Sequence, residues 1–152
     1  VATKAQCFAY SKVSPKVMVF AEPTAVAIHA VNVAGTLVGK KVLVIGAGPI
    51  GCLIMAAARS SGAAEIVASD VSARCLELAA EMGANAIFNP MEKGSADRYQ
   101  VNSGYFDVVF EASGSPAAIQ STIAFTRPSG TIVQVGMGAA SVECSSKVQI
   151  TF

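Results

Sequence analysis

The sequence predicts an α/β domain in which helices cover both faces of a doubly wound parallel sheet. Its 152 residues are 53% hydrophobic and only 14% charged, so the chain can bury one core and is not disordered. Short apolar runs without polar alternation are typical of strands that are covered on both faces. Segments with helical spacing separate these runs, and such alternation predicts right-handed crossovers between parallel strands.

Five strands are predicted in the regular part of the chain. The first, at residues 42–45, is an unbroken apolar run that a glycine ends. The others follow at residues 65–69, 86–88, 106–110 and 131–135, with Gly, Pro or Asn close to their ends. A turn is expected at residues 128–130. The alternating stretch 148–152 predicts a further strand with an open edge.

Helices are predicted before, between and after these strands. The first covers residues 22–35, where apolar side chains recur at helical spacing. The second begins near Ile50, because apolar residues recur there at i, i+3, i+4 and i+7. The third covers residues 72–82, with an inner stripe of Cys75, Leu78, Ala79 and Met82. The fourth begins at residues 115–116, a serine cap and a proline, and is expected to turn inward Ile119 and Ile123.

A glycine-rich turn joins the first strand of the sheet to the helix after it. Its residues are Gly46, Ala47, Gly48, Pro49, Ile50 and Gly51. In this context Gly46 permits a tight turn, Gly48 lets a pyrophosphate approach the backbone, and Gly51 lets the helix pack closely on the sheet. The phosphates would lie at the positive end of the helix, against free backbone amides. The strand-to-helix context disfavours the alternative, an ordinary glycine-rich turn.

An acidic residue ends the second strand of the sheet. Asp70 lies about 20 residues after Gly51, the spacing at which a carboxylate accepts hydrogen bonds from the hydroxyls of an adenosine ribose. Because an uncompensated carboxylate would repel a 2′-phosphate, we expect NAD rather than NADP. Arg74 has three interpretations: a neighbour of the adenine, a partner of Asp70, or a solvated helix charge. We include it among the cofactor-binding residues as a neighbour of the adenine.

Charge and cysteine content limit the possible partners. Eleven basic residues nearly balance ten acidic ones and are scattered along the chain, so we expect no nucleic acid as a partner. The uncharged run 42–58 is shorter than the roughly 20 apolar residues that span a bilayer, so we expect no membrane partner. The cysteines are far apart, without a CxxC pair, which predicts reduced, mostly buried thiols and a cytoplasmic location. They are Cys7, Cys52, Cys75 and Cys144.

Together, these motifs resemble the coenzyme domain of the zinc-type medium-chain dehydrogenases, in particular their polyol branch. The resemblance rests on residues 20–30, the glycine turn 46–51, Asp70, residues 106–114 and residues 135–138. It implies a Rossmann fold and an NAD-binding domain over residues 22–152. Residues 1–21 would then be a linker from a catalytic domain that this chain lacks, and the chain is expected to be a piece of a longer protein.

The resemblance also implies roles for individual residues. Those expected beside the nicotinamide are Val26, Ile50, Val135, Gly136 and Met137. Ser113 and Gly114 would pass near the adenine, and Asp70 would hold the ribose. The family's arginine often stands one position further along, where this chain has Cys75, so the resemblance assigns no firm role to Arg74.

Glu22 has two interpretations. From the sequence alone, a carboxylate before proline at a helix start is a charge that the helix dipole favours. In polyol members the corresponding glutamate is a zinc ligand, so the resemblance makes Glu22 a candidate ligand whose partners are missing here. His29, the single histidine, is expected in the core, and no catalytic residue is expected in this chain.

The function that the resemblance implies is oxidation of a secondary alcohol, a small polyol or sugar acid, by hydride transfer to NAD in a zinc-dependent parent protein. The chain alone is expected to bind NAD and to catalyse nothing. Pairing of edge strands at residues 148–152 would give a homo-oligomer. Two alternatives stay open: a non-catalytic module that senses nucleotides, and a methyltransferase, which also has an acid at the end of its second strand.

Overall fold

The computed structural model describes residues 3–7, 12–138 and 150–151. Within them, a parallel sheet runs through the centre of the molecule. Its strands are β1 (Lys41–Ile45), β2 (Glu65–Ser69), β3 (Ala86–Phe88), β4 (Phe106–Glu111), β5 (Thr126–Gln134) and β6 (Ile150–Thr151). They lie in the order β3-β2-β1-β4-β5-β6, and every neighbouring pair is parallel.

Helices cover both faces of this sheet. The α-helices of the described residues are α1 (Pro15–Met18), which buries no side chain, α2 (Ala21–Ala34), α3 (Pro49–Ser60), α4 (Ala73–Glu81) and α5 (Pro116–Phe125). Successive side chains of β1 point to opposite faces: Val44 packs in the cluster that contains α2 and α3 residues, and Leu43 packs with Phe125 of α5. The predicted doubly wound α/β fold is confirmed.

The order of the strands changes direction between β1 and β4. From β1 the chain proceeds to β2 and β3 on one side, and from β4 to β5 and β6 on the other. The segments after β1 and β4 therefore leave in opposite directions and open a crevice at the carboxyl ends of the strands, where ligands bind in open α/β sheets. The Ala112 N–H donates to Ile45 O at 2.7 Å and holds the two strand ends together.

The fifth strand differs from the prediction. The turn expected at residues 128–130 lies inside β5, whose pairing with β4 shifts register so that residues 127–130 bulge out of the ladder. Ser129 in this bulge has a φ of 62°, and Arg127 Nε donates to Asp107 Oδ1 on β4 at 2.6 Å. An ion pair between the strands thus holds a turn-like bulge within a continuous strand.

Three helices bury residues that differ in part from those expected. In α4 the buried side chains are Leu76 and Ala79, whereas Met82 is 39% exposed because it lies beyond the last helical residue. His29, expected in the core, is exposed on α2. The side chains that α2 buries are Ala27, Ala30, Val31 and Ala34. In α5 the buried residues are Thr122 and Phe125, and Ile119 and Ile123 are half-buried. Three alanines let α2 approach α3 closely, so the larger imidazole lies outside this contact.

The helical stretch Pro15–Ala34, which includes α1 and α2, is long and apolar enough by length and composition alone to cross a membrane. Lys16 and Glu22 interrupt this stretch, so it is not an uncharged run. A single helix of this kind is weak evidence, since core helices of soluble proteins pass the same test.

Candidate functional site

The glycine turn between β1 and α3 forms the centre of the crevice. Gly46 has a φ of 93°, and a Cβ on it would lie 2.7 Å from the Ser113 nitrogen. A Cβ on Gly51 would lie 1.9 Å from Gly46 O. At Gly48, by contrast, a Cβ would meet no atom within 4 Å. Two of the three glycines therefore allow close packing inside the protein, and the third borders open space in the crevice.

The helix α3 begins beside that open space. Gly48 is the N-cap residue, has extended backbone angles (φ −70°, ψ −171°) and makes no side-chain cap, and Pro49 is the first helical residue. The Cys52 N–H donates to Gly48 O at 2.9 Å, so the amides of Ile50 and Gly51 precede this intrahelical bond. A helix start of this kind is a ready site for an anion.

Asp70 lies beside the glycine turn, as the sequence predicts. Its Oδ2 accepts a hydrogen bond from the Ala47 N–H at 2.7 Å, and its Oδ1 accepts one from the Ser72 N–H at 2.8 Å. An ionised carboxylate has about four lone-pair sites, so about two remain for the hydroxyls of a ligand. The half-buried Asp70 thus binds the turn and keeps unused acceptor capacity.

Arg74 does not pair with Asp70. Its Nη1 lies 3.2 Å from Glu77 Oε2, and the two side chains are 71% and 64% exposed. This i, i+3 pair on the surface of α4 corresponds to the interpretation as a solvated helix charge. The assignment of Arg74 as a neighbour of the adenine stays a prediction.

Glu111, which sequence reasoning did not single out, is fully buried at the end of β4. Its Oε1 accepts from the Ser113 N–H at 2.9 Å, from the Gly114 N–H at 3.0 Å and from the Ser113 hydroxyl. Its Oε2 accepts from Gln134 Nε2 on β5 at 2.6 Å. The sequence does contain a signal for Glu111: it is a charged residue that directly follows the apolar run 108–110, in a strand covered on both faces.

The segments after β4 and β5 meet at the crevice. A Cβ on Gly114 would lie 2.5 Å from Met137 O, and a Cβ on Gly136 would lie 2.2 Å from the Gly114 nitrogen. The predicted residues Ser113, Gly136 and Met137 therefore lie close together. The Met137 side chain is 99% exposed, so its backbone makes these contacts. Three further predicted residues are half-buried: Val26 on α2, Ile50 on α3 and Val135 after β5.

The described residues alone do not fit a zinc ion. Glu22 is exposed in the first turn of α2. In the part of the chain that the structure describes, no group of three or more His, Cys, Asp or Glu side chains could hold a metal. Zinc prefers four ligands in a structural site and at least three protein ligands in a catalytic one, so a site at Glu22 needs ligands from elsewhere.

The described cysteines are free thiols, as predicted, but they are not mostly buried. Cys7 is exposed, whereas Cys52 and Cys75 are half-buried; Cys144 lies outside the described residues. Cys52 lies under the glycine turn, with its Sγ 3.4 Å from Ala47 O. Burial raises the pKa of the Cys52 thiol, and the charges of Cys75 and Asp70 raise it further, so this thiol stays protonated near neutral pH.

The fold, the glycine turn and the strand-end acid define a Rossmann-type α/β domain. The family model described as zinc-binding dehydrogenase matches residues 49–152. Because this match covers more than half of the chain, the chain belongs to the zinc-binding dehydrogenase family, as the resemblance predicted.

Relatives of known name support this assignment. L-idonate 5-dehydrogenase (NAD(P)(+)) of Escherichia coli K12 is 52% identical over 139 residues, which cover 91% of this chain and 40% of that protein. Sorbitol dehydrogenase 1 of Saccharomyces cerevisiae is 39% identical over 125 residues, which cover 77% of this chain and 35% of that protein. The chain therefore spans well under half the length of these curated relatives.

Solved structures agree with the sequence relatives. The crystal structure of E. coli L-idonate 5-dehydrogenase superposes with a TM-score of 0.88 at 47% identity, over 96% of this chain and 44% of that one. A putative zinc-binding dehydrogenase from Sinorhizobium meliloti 1021, bound to NADP, superposes with a TM-score of 0.88 at 26% identity, over 97% of this chain and 47% of that one.

Proposed function

We propose that this chain is the NAD-binding domain of a zinc-dependent dehydrogenase that oxidises a polyol or a sugar acid. The observation that carries the proposal is the pairing of an open space over Gly48 with a carboxylate, Asp70, bound to the same turn. A diphosphate and a ribose can then be held by neighbouring groups at the point where the sheet reverses its order.

In this proposal the chain's own residues bind and orient the cofactor. The first amides of α3 donate to the diphosphate above Gly48, and the remaining acceptor sites of Asp70 bind the ribose hydroxyls. The segment with Ser113 and Gly114 borders the adenine side. Residues beside the nicotinamide are Val26, Ile50, Val135, Gly136 and Met137. When bound, the nicotinamide supplies the hydride acceptor for alcohol oxidation.

The preference for NAD over NADP rests on charge. Asp70 places a carboxylate beside the expected ribose, where a 2′-phosphate would be repelled. Arg74, the cation that could offset this repulsion, is paired with Glu77 and exposed. The E. coli relative's name includes both cofactors, so the discrimination is a quantity to be measured on this chain.

The remaining parts of the proposal concern the whole protein. Glu22 is proposed as one zinc ligand, with the other ligands and the substrate contacts coming from a region that the relatives have and this chain does not. Residues 1–21 are proposed as the linker to that region. The free thiols favour a cytoplasmic location. β6 lies at the edge of the described sheet, and pairing of this edge with a second copy would give a homo-oligomer.

Calorimetry on the 152-residue chain tests the proposal with NAD and NADP as ligands. We expect NAD to bind more tightly than NADP. A charge-assisted hydrogen bond is worth about 1.5–3 kcal/mol, so Asp70→Asn should weaken NAD binding by about 10- to 150-fold and NADP binding less. Asp97→Asn makes the same chemical change at an exposed position, in the short helical turn Asp97–Tyr99, which makes none of the contacts of the site described above, and this variant should bind NAD as the wild type does.

The possible failures have different meanings. If the wild-type chain binds neither NAD nor NADP, the proposed function is wrong. If NADP binds more tightly than NAD, or if Asp70→Asn leaves both affinities unchanged, the role of Asp70 is wrong although the crevice still binds a dinucleotide.

A further inference from the structure

Glu111 is a carboxylate buried where charge is expensive. The described residues that are both polar and buried are Ser69, Glu111, Thr122 and Thr126, and Glu111 is the acidic residue among them. A buried carboxylate destabilises a fold unless hydrogen bonds replace its hydration. Replacing a buried ionic group with an apolar side chain of similar volume is often neutral or stabilising. Stability of the core therefore gives no reason for an acid at this position.

The partners of Glu111 lie on two different segments. Its side chain accepts from the backbone amides of Ser113 and Gly114, in the segment 112–115 that follows β4. The same side chain accepts from Gln134 at the end of β5. The Gln134 amide also donates to Gly136 O at 2.7 Å, in the segment 135–138.

The backbone of Glu111 extends this connection. Its carbonyl oxygen accepts from the Val135 and Gly136 amides, both at 2.8 Å. A Cβ on Gly136 would lie 2.7 Å from Glu111 Oε2, so the second segment is packed directly against the carboxylate. One residue is thus bonded, through side chain and backbone, to both segments that border the crevice beyond β4 and β5.

We propose that Glu111 is a positioning residue of the dinucleotide site: it fixes segments 112–115 and 135–138 at the separation that a bound dinucleotide requires. This inference rests on the proposed function, since it assigns those segments to the adenine and nicotinamide sides of one ligand. A carboxylate suits the task because it accepts several hydrogen bonds at once, and bonds to an ionised acceptor are shorter and stronger than neutral ones. Glutamine could serve only part of these donors, because its NH₂ group donates and does not accept.

The test compares two acid-to-amide changes on the same strand. Glu111→Gln alters the carboxylate at the crevice end of β4, and Asp107→Asn alters a hydrogen-bonded carboxylate at its other end. NAD affinity is measured by calorimetry on the full 152-residue chain, thermal unfolding reports stability, and hydrogen exchange of the Ser113 and Gly114 amides is followed without ligand.

Glu111→Gln should weaken NAD binding about tenfold or more, the equivalent of one charge-assisted hydrogen bond, and speed exchange of the Ser113 and Gly114 amides. Asp107→Asn should lower the unfolding temperature but leave NAD affinity within about twofold. A role in stability alone would move the unfolding temperature of both variants and the affinity of neither.

A second variant covers the case in which Glu111→Gln does not fold. Gln134→Met keeps the side-chain length and removes the donor that joins Glu111 to segment 135–138, so it should also weaken NAD binding, by about threefold to tenfold. Wild-type affinity in every folded variant of this pair overturns the positioning role and leaves the proposed function intact. Failure of the wild-type chain to bind NAD overturns both.

Discussion

Alanine at Gly48 and alanine at Gly51 are expected to have opposite consequences, although the two glycines belong to one turn. At Gly51 the new Cβ would lie 1.9 Å from Gly46 O and 3.4 Å from a Val44 methyl. Backbone must move to admit it, and overpacking of this kind costs about 1–3 kcal/mol, occasionally more. For a chain of this length, 1 kcal/mol corresponds to about 2–4 °C, so Gly51→Ala should lower the unfolding temperature by about 2–12 °C.

At Gly48 the same methyl group would meet no protein atom within 4 Å, and the residue has a φ of −70° that alanine adopts freely. Alanine is a poorer N-cap than glycine, by about 1 kcal/mol or less. The lower entropy of the unfolded alanine chain offsets about 0.4–1 kcal/mol of this. The free energy of unfolding should therefore change by less than about 1 kcal/mol. NAD binding should be lost, because the methyl group would occupy the place proposed for the diphosphate.

The assay is urea unfolding together with calorimetric titration of NAD, on both variants and the wild type. Gly48→Ala with wild-type NAD affinity would show that no diphosphate lies over this residue. If Gly51→Ala is as stable as Gly48→Ala, the contact of residue 51 with Gly46 O does not limit how closely the helix packs on the sheet.

Two further predictions concern titration. Burial raises the pKa of Asp107, but a backbone amide and the Arg127 guanidinium outweigh it and hold the pKa below the ordinary value of about 3.9. The stabilisation of the fold by ionised Asp107 is complete above that value and is lost as pH falls through the lowered pKa. The difference in unfolding free energy between wild type and Asp107→Asn should therefore shrink in acid. A difference that does not depend on pH would contradict this. Burial raises the pKa of Cys52, so we expect iodoacetamide to alkylate the exposed Cys7 faster than Cys52. Mass spectrometry of the labelled peptides measures both rates, and equal rates would refute the argument.

Much of the site follows from short-range spacing. The glycine turn, the strand before it and the helix after it are neighbours along the chain, so their chemistry could be predicted at the level of single residues. Asp70 was predictable because the length of one helix and its loops fixes which strand end lies beside the turn. The structure places the Asp70 carboxylate on the Ala47 amide of that turn, and its role toward a ribose stays a prediction.

Contacts between distant segments could not be predicted in this way. The bulge in β5 depends on Arg127 finding Asp107 across the strand pair, and a local turn signal cannot distinguish it from a chain reversal. In α4, Leu76 is buried whereas Cys75 and Leu78 are half-buried, a difference that the spacing of apolar residues did not predict. His29 is exposed because the buried side of α2 consists of Ala27, Ala30, Val31 and Ala34.

The sequence by itself determined the class of fold, the family and the position of the glycine turn, since each depends on residue types at fixed short separations. Only the tertiary structure decided the burial and hydrogen-bond partners of Glu111, the exposure of Arg74 and the meeting of the two segments beyond β4 and β5. These depend on which strands become neighbours, and 23 positions separate Glu111 from Gln134 along the chain. Strand order brings them within hydrogen-bond distance, and no local pattern encodes that distance.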